Sequence, residues 1–273
     1  MEVSTKEIQQ KLLEMFKEIN EICLENKIEY ILMCGSTLGA FRHKGFIPWD
    51  DDLDISMTRA NALKLCEIIN NKYKEKYFYQ TVFNDEGYNI LFDKIRLNNT
   101  ACIEKNGEHH TYHQGLFIDI FVLDNAPVDP KKQKKQLAQF KLYDAILRND
   151  SHANMIKHFG LKIYTALFNR KKIIAKLYKK ITQYNSTETG LLNAYCDLGN
   201  RRQNIFSYDY FFPAKEIEFE GMTTYVANHV TEYLTTLYGD YMKLPPESDR
   251  VGTHGVIVDL HKNYTEYVKN EQR

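Results

Sequence analysis

Residues 45–57 read GFIPWDDDLDISM. Four carboxylates fall within five positions, directly after the chain's single tryptophan, and the run then alternates: Asp52, Asp54 and Ser56 against Leu53, Ile55 and Met57. Period two is the pattern of a strand with one polar and one apolar face. Asp52 and Asp54 therefore point the same way, while Leu53 and Ile55 anchor the other face in a core. Carboxylates held together raise one another's cost of ionising, and more so as water is excluded. Such a stretch is either a solvated turn or one wall of a site that takes positive charge, and the flanking sequence has to decide.

Upstream, YILMC (residues 30–34) is a short apolar run that stops at Gly35, as a buried strand does. Gly35 and Ser36 then lead into Thr37, Leu38, Gly39 and Ala40, a helix start whose backbone N–H groups attract phosphate. A phosphate cradle beside a carboxylate pair describes metal-assisted phosphoryl or nucleotidyl transfer. Downstream, GLFIDIFVL (115–123) carries Asp119 as its single charge. A lone carboxylate among Phe117, Ile118, Ile120 and Phe121 is costly to bury unless paired or metal-bound, which makes it the candidate third ligand or general base. A surface position on an edge strand is the plainer alternative. Other acidic motifs fit less well. An EF-hand beginning at Asp50 would have Ile55 at its glycine position and Asn61 at its glutamate position. The DDxxD spacing of Asp50, Asp51 and Asp54 needs a helix, which the alternation opposes. Asp52-Leu53-Asp54 also matches the DxD of metal-dependent glycosyltransferases, and that alternative stays open.

Around this centre, Ser4 and Glu7 have capping-box spacing and Ile8, Leu12, Leu13, Phe16, Ile19 and Cys23 recur at helical intervals, predicting a helix over residues 5–26. A second helix is expected over 59–76 and strands over 77–83, 89–97 and 115–123, followed by a helical, lysine-rich stretch with no clear strand. The last region, from Phe206, carries FFPAKEIEFEG (211–221) and continues with a helix over VTEYLTTLYGDYM (230–242). The expected class is α+β, with a nucleotidyltransferase-like mixed sheet, flanking helices and a mostly helical second half. Three regions are expected: a catalytic core over 1–128, a lysine-rich helical region over 129–205, and a segment over 206–273 that packs back on the core. The 273 residues, 43% hydrophobic and 26% charged, suit a folded globular chain; 36 basic and 36 acidic residues cancel, which argues against a nucleic-acid partner. Cysteines at 23, 34, 66, 102 and 196 are odd in number and unpaired in spacing, as in a reducing compartment. With no signal-peptide core and no 18-residue apolar run, a cytoplasmic location is expected.

The segments GSTLGAFRHKGFIPWDDDLDISM (35–57), FDKIRLNNT (92–100), GLFIDIFVLD (115–124) and the late run from EFEG (218–221) through YLTTLYGDYMKLPPESDR (233–250) resemble the LicD family. These are phosphocholine transferases of the nucleotidyltransferase superfamily, to which fukutin and fukutin-related protein also belong. One departure is Ala227, where proline is expected. The resemblance implies a Gly-Ser pair at Gly35 and Ser36 and a carboxylate set of Asp52, Asp54 and Asp119. That set would hold magnesium, two ions being expected and manganese able to substitute. It further implies CDP-choline or another CDP-alcohol as donor, CMP as leaving group, and as acceptor a sugar hydroxyl on a lipid-linked glycan precursor of a teichoic acid or lipopolysaccharide.

Several further groups are candidates for substrate contact. Thr37, Arg42, His43 and Lys44 lie near both cradle and carboxylates in sequence and suit a diphosphate, or else simply balance the aspartates. Lys94 and Arg96 share one strand face, and Arg250 and His254 follow the LPP turn, where they could close over donor or acceptor. His109, His110 and His113 lack the ligand spacing of a zinc site and read as a loop. From Ser151 to Thr187 there is no acidic residue, and Tyr164, Leu167, Phe168, Ile174, Leu177, Tyr178 and Ile181 fall at helical spacing. Such a basic amphipathic helix suits either a peripheral contact with the inner membrane face or a core helix with solvated lysines. Alternative functions on the same aspartates are a metal-dependent glycosyltransferase, a nucleotidyltransferase, or a non-catalytic binding module.

Overall fold

A computed structural model describes residues 3–105, 107–148, 170–195, 205–252 and 255–268. The chain is α+β. In order, the first part contains α1 (Thr5–Glu25), β1 (Ile31–Leu32), α2 (Cys34–His43), β2 (Asp54–Thr58), α3 (Arg59–Lys72), β3 (Tyr77–Gln80), β4 (Asp93–Leu97), β5 (Ala101–Ile103) and β6 (Phe117–Asn125). The middle contains α4 (Pro130–Arg148), α5 (Arg170–Ile181), β7 (Leu191–Asn193) and β8 (Ile205–Ser207). The last part contains α6 (Tyr208–Phe211), β9 (Lys215–Phe219), β10 (Met222–Val226), α7 (Val230–Tyr238) and β11 (Ile257–Asp259). These elements divide between two compact units, one built from the chain up to Gly87, Phe92–Val122 and the chain from Asp209, the other from Tyr88–Leu91 and Leu123–Tyr208.

In the first unit the strand order is β1-β2-β6-β4-β3. β1 is antiparallel to β2, and β4 is antiparallel to both β6 and β3. β2 and β6 run the same way: the Asp119 N–H donates to the Leu53 carbonyl at 2.9 Å and the Ser56 hydroxyl donates to the Phe121 carbonyl at 2.7 Å, so residue numbers rise together. The sheet is therefore mixed. Its central strands are buried along almost their whole length, which explains why residues 117–123 of β6 are apolar except for Asp119. α1 covers one face with Ile8, Leu12, Leu13, Phe16, Ile19 and Cys23, and its expected capping box forms at Ser4 and Glu7. The β9–β10 hairpin grips the turn after α2, where the Glu220 carboxylate accepts the Phe46 N–H at 3.1 Å and the Glu220 N–H donates to the Lys44 carbonyl at 2.7 Å.

Several boundaries move from the expectation. α2 starts at Cys34, so Gly35 and Ser36 belong to the helix and not to the end of β1. α3 stops at Lys72, β4 starts at Asp93, and α7 stops at Tyr238. β5 and β11, which pair antiparallel, have no alternation to announce them. Nor have β7 and β8, which extend the last residues of β6 in a stretch where no clear strand is expected from the sequence. In the second unit α4 packs on α5, and the Gln136 side chain donates to the Ile181 carbonyl at 2.7 Å. The apolar face of α5 is core: Ile173, Ile174, Leu177 and Ile181 are buried, and Lys171, Lys172, Lys176, Lys179 and Lys180 are exposed. In the described part, then, the basic amphipathic pattern has its apolar side already covered, and the membrane reading of it is withdrawn. Tyr164, Leu167 and Phe168 lie outside the described residues. Among the described residues no helix is long and apolar enough to cross a membrane. None of Cys23, Cys34, Cys66 and Cys102 forms a disulfide; Cys196 lies outside the described residues.

Candidate active site

Parallel pairing of β2 with β6 brings the acids together. Asp52 ends the approach to β2, Asp54 begins it, and Asp119 lies beside them on β6; all three are buried, at 9%, 7% and 6% exposure. The Ser36 hydroxyl accepts the Asp54 N–H at 2.9 Å, and the Met33 N–H donates to the Asp54 carbonyl at 3.0 Å, so the start of α2 fixes the start of β2. Gly35 faces Asp50, where a Cβ would stand 2.8 Å from the carboxylate. The sharp entry to the helix is made at Cys34, whose φ of 49° lies in the left-handed region and whose N–H donates to the Tyr233 hydroxyl at 2.9 Å.

The electrostatics follow from this crowding. Burial pushes the Asp54 carboxyl well above the usual carboxylate range, and Asp52, Asp119 and Asp50 push it further, against the pull of Lys94. Asp119 is pushed up to about 6, by burial first; Lys94 opposes the rise, and Glu104 and Asp52 add to it. Lys94 is the nearest counter-charge. Its ammonium is 1% exposed, 2.8 Å from Asp119 Oδ1, 3.8 Å from Glu104 and 3.4 Å from the centre of the Phe117 ring. The Lys94–Asp119 approach is an ion pair off the hydrogen-bonding direction, and Asp119 Oδ1 is left without a hydrogen bond.

Among the described residues, Lys94 is the ammonium that faces Asp54 and Asp119. The donors are all hard oxygens, the set that suits Mg2+. Among the described residues, no three Asp, Glu, His or Cys side chains already stand at metal-holding distance. A cation here would draw the carboxylates inward.

The structure sorts the remaining candidates. Lys94 joins the site, but Arg96 is wholly buried behind it, donating to Gln80 Oε1 at 2.8 Å and to the Gly115 carbonyl at 2.9 Å. Thr37 is also fully buried, its hydroxyl without a partner. Lys44 is turned away: it caps α2, its side chain is 75% exposed, and its ammonium is 3.5 Å from Glu218. Arg42 donates to His43 Nε2 at 2.9 Å and to the Tyr241 carbonyl at 2.9 Å. Burial and the adjacent Arg42 hold His43 below the usual histidine range. Arg250 lies over Trp49, 5.4 Å from the ring centre, and Gly252 presses on the same loop so closely that a Cβ would be 3.1 Å from both Asp51 and the Trp49 carbonyl. The region after the LPP turn thus reaches the acidic loop through Arg250 and Gly252; His254 lies outside the described residues. Sequence reasoning passed over Glu104, a lone acid after a three-residue strand, which stands 3.8 Å from both Lys94 and Arg96. His113 is structural, its ring stacked 5.3 Å from Phe78 and accepting the Gly115 N–H at 3.1 Å.

Known proteins share much of this sequence. Residues 27–125, which hold all three aspartates, match the family described as LicD/FKTN/FKRP, nucleotidyltransferase domain. The chain is 30% identical over 261 residues to the lipopolysaccharide cholinephosphotransferase LicD of Haemophilus influenzae, covering 92% of this chain and 96% of that protein. The chain belongs to the LicD family. An uncharacterized protein of Rickettsia prowazekii is 29% identical over 116 residues, 42% of this chain and 40% of that protein. One of Rickettsia typhi is 33% identical over 84 residues, 31% of this chain and 24% of that protein. The family model stops where β6 ends, whereas the full-length relative also spans the C-terminal segment that carries Tyr233, Tyr241 and Arg250.

Proposed function

We propose that this LicD-family protein is a phosphotransferase that moves phosphocholine, or a related phospho-alcohol, from a CDP-linked donor to a sugar hydroxyl of a lipid-linked surface-glycan precursor, releasing CMP. The observation that carries the reading is the burial of Asp52, Asp54 and Asp119 on neighbouring strands, where Asp52 and Asp119 raise the Asp54 carboxyl and the Lys94 ammonium pairs with Asp119. Near-full-length similarity to a lipopolysaccharide cholinephosphotransferase supports the donor and acceptor classes, including a lipopolysaccharide-type acceptor; a teichoic acid precursor offers the same hydroxyl chemistry.

Asp52, Asp54 and Asp119 would hold Mg2+. When bound, the ion supplies charge neutralisation on the diphosphate and on the departing phosphate. Asp119 takes the proton of the acceptor hydroxyl, and Lys94 keeps that carboxylate oriented. The acceptor oxygen bonds to the phosphorus distal to cytidine as the bond from that phosphorus to the CMP oxygen breaks, and CMP leaves with the electron pair. Gly35 lets the first turn of α2 approach the acidic loop without a side chain between them. A lipid-linked acceptor places the reaction at a membrane face, the inner one where cytidine nucleotides are available.

The test is phosphorus NMR of the full chain incubated with Mg2+, CDP-choline and a crude lipid-linked glycan extract. CMP together with a new phosphodiester is the expected product pair, absent for Asp52→Asn. Intact CDP-choline alongside consumption of a nucleotide-sugar or a nucleoside triphosphate would overturn the donor assignment.

A further inference from the structure

The charges of β4 and β6 do not balance. Their antiparallel register sets Lys94 opposite Asp119 but Arg96 opposite Phe117, so two cations on one face of β4 meet a single carboxylate on β6. Both cations are out of water, at 1% and 0% exposure, and both lie against the Phe117 ring, the Lys94 ammonium 3.4 Å and the Arg96 guanidinium carbon 4.6 Å from its centre. A ring and a carbonyl do not cancel a formal charge, and a guanidinium does not shed its proton. Arg96 directs Nε to Gln80 and Nη1 to the Gly115 carbonyl, while its Nη2 has no hydrogen bond among the described residues. The second negative charge comes from Glu104. Its Oε2 stands 3.8 Å from Lys94 Nζ and 3.8 Å from Arg96 Nη2, too far for a hydrogen bond to either and close enough to offset both charges. The backbone around it is fixed: the Ile103 carbonyl accepts the Val256 N–H at 2.8 Å where β11 pairs with β5, and the Glu104 carbonyl accepts the Gly107 N–H at 2.8 Å. With its side chain 32% exposed, Glu104 is the member of this group that reaches solvent.

We propose that Glu104 is a positioning residue for the cation site: by sharing Lys94 with Asp119 and offsetting Arg96, it keeps the Asp119 carboxylate available to a divalent cation. Without it, two buried cations face Asp119 alone, and Lys94 closes on that carboxylate in competition with the metal. Glu104 is not itself a ligand; it acts through Lys94. The inference rests on the reading above that Asp52, Asp54 and Asp119 hold Mg2+, and adds to it the group that sets how firmly Lys94 holds the third carboxylate.

The experiment titrates Mn2+ into the metal-free full-length chain and follows the free ion by electron spin resonance, with no donor or acceptor present. Glu104→Gln should weaken binding about 10-fold, and Glu104→Asp, which keeps the charge, should recover most of that loss. In a Lys94→Met background, where the competing ammonium is gone, Glu104→Gln should change the affinity by less than about 3-fold. Wild-type affinity in Glu104→Gln, an aspartate variant as weak as the glutamine one, or an equal loss with and without Lys94 would overturn the positioning role. In turnover, Glu104→Gln should raise the Mg2+ concentration for half-maximal rate about 10-fold and change the rate at saturating Mg2+ by less than about 3-fold. A rate lowered equally at every Mg2+ concentration would instead mark Glu104 as structural and overturn the proposal. Asp54→Asn separates the two readings. If it binds Mn2+ as tightly as the wild type, the metal reading falls and this inference with it; if it loses Mn2+ while Glu104→Gln keeps it, this inference falls alone.

Discussion

The two ends of α2 are built in different ways. At its start stand Asp50, Asp52 and Asp54, close neighbours in sequence, with Asp119 added by a single strand pairing. At its far end a cleft is lined by Arg42 and Trp49 from the same stretch, but the rest of its wall comes largely from Tyr238 to Pro246, and Arg42 meets the carbonyl of a residue 199 positions away. The first end is a concentration of like charge, which costs the folded chain stability. The second is an apolar and mixed-charge surface that costs the fold little. A site whose chemistry needs repulsion is written densely into a short stretch, whereas a cleft is assembled wherever the fold brings suitable faces together.

The sharpest way to break this comparison is Asp54→Asn. Turnover should fall by on the order of 10²–10³, as when a single group that stabilises transition-state charge is removed. Yet stability should rise by about 1 kcal/mol, because a buried charge repelled by Asp52, Asp119 and Asp50 has gone. Product NMR and a thermal melt on the same sample check both, and a variant that is both slow and less stable would contradict the account. Lys94→Met should slow turnover about 10–100-fold as Asp119 loses its orienting partner, and should lower the melting temperature, because a buried carboxylate is left unpaired. The opposite signs expected for stability at Asp54 and Lys94 separate excess negative charge from mere disruption of a core.

His113 offers a control remote from both ends of α2. Burial, and then Arg96, depresses it to about 3 in the folded chain against an ordinary value near 6.5. Below about 6.5 the unfolded chain takes up a proton that the folded chain refuses. The contribution of the neutral ring is therefore complete above that pH and lost as pH falls toward 3. Melting temperatures between pH 7 and pH 5 should fall, and His113→Phe should flatten the profile over that window whatever its absolute stability. The smallest effect is expected at Lys44→Ala. Its ammonium pairs with Glu218 in solvent, so turnover should be unchanged and stability should move by less than about 0.5 kcal/mol. A large loss of turnover would mean that Lys44 swings into the site.

The elements that could be read in advance are those whose signal is local. α1 declares itself by a cap and a 3.6-residue period, and every apolar position named for it is buried. β2 was legible from the alternation of Asp52, Asp54 and Ser56 with Leu53, Ile55 and Met57, and β6 from a run of Phe, Ile, Val and Leu interrupted by acids. β5, β7, β8 and β11 have three residues each, too few for a period to appear, and exist because a neighbouring strand offers hydrogen bonds. The candidate basic residues show the same limit. Arg42, Lys44, Lys94 and Arg96 look alike in sequence, but Lys94 meets Asp119, Arg96 is enclosed behind it, Lys44 turns to Glu218, and Arg42 faces the cleft. Side-chain direction on a strand or helix follows from the backbone, but whether that direction meets an acid, a ring or water depends on what has folded opposite.

By itself, then, the sequence determined the α+β class, the strand that carries Asp52 and Asp54, the isolation of Asp119 in an apolar run, and the family. Each is encoded in residues near one another along the chain, through periodicity and the cost of crowding or burying charge. Only the tertiary structure decided that β2 and β6 lie side by side and in parallel, that Lys94 and not Arg96 or Lys44 answers the acids, and that Trp49, Tyr238 and Tyr241 share a cleft. These are contacts between distant segments. They are fixed by the packing of the whole core, to which no single stretch of chain holds the complement.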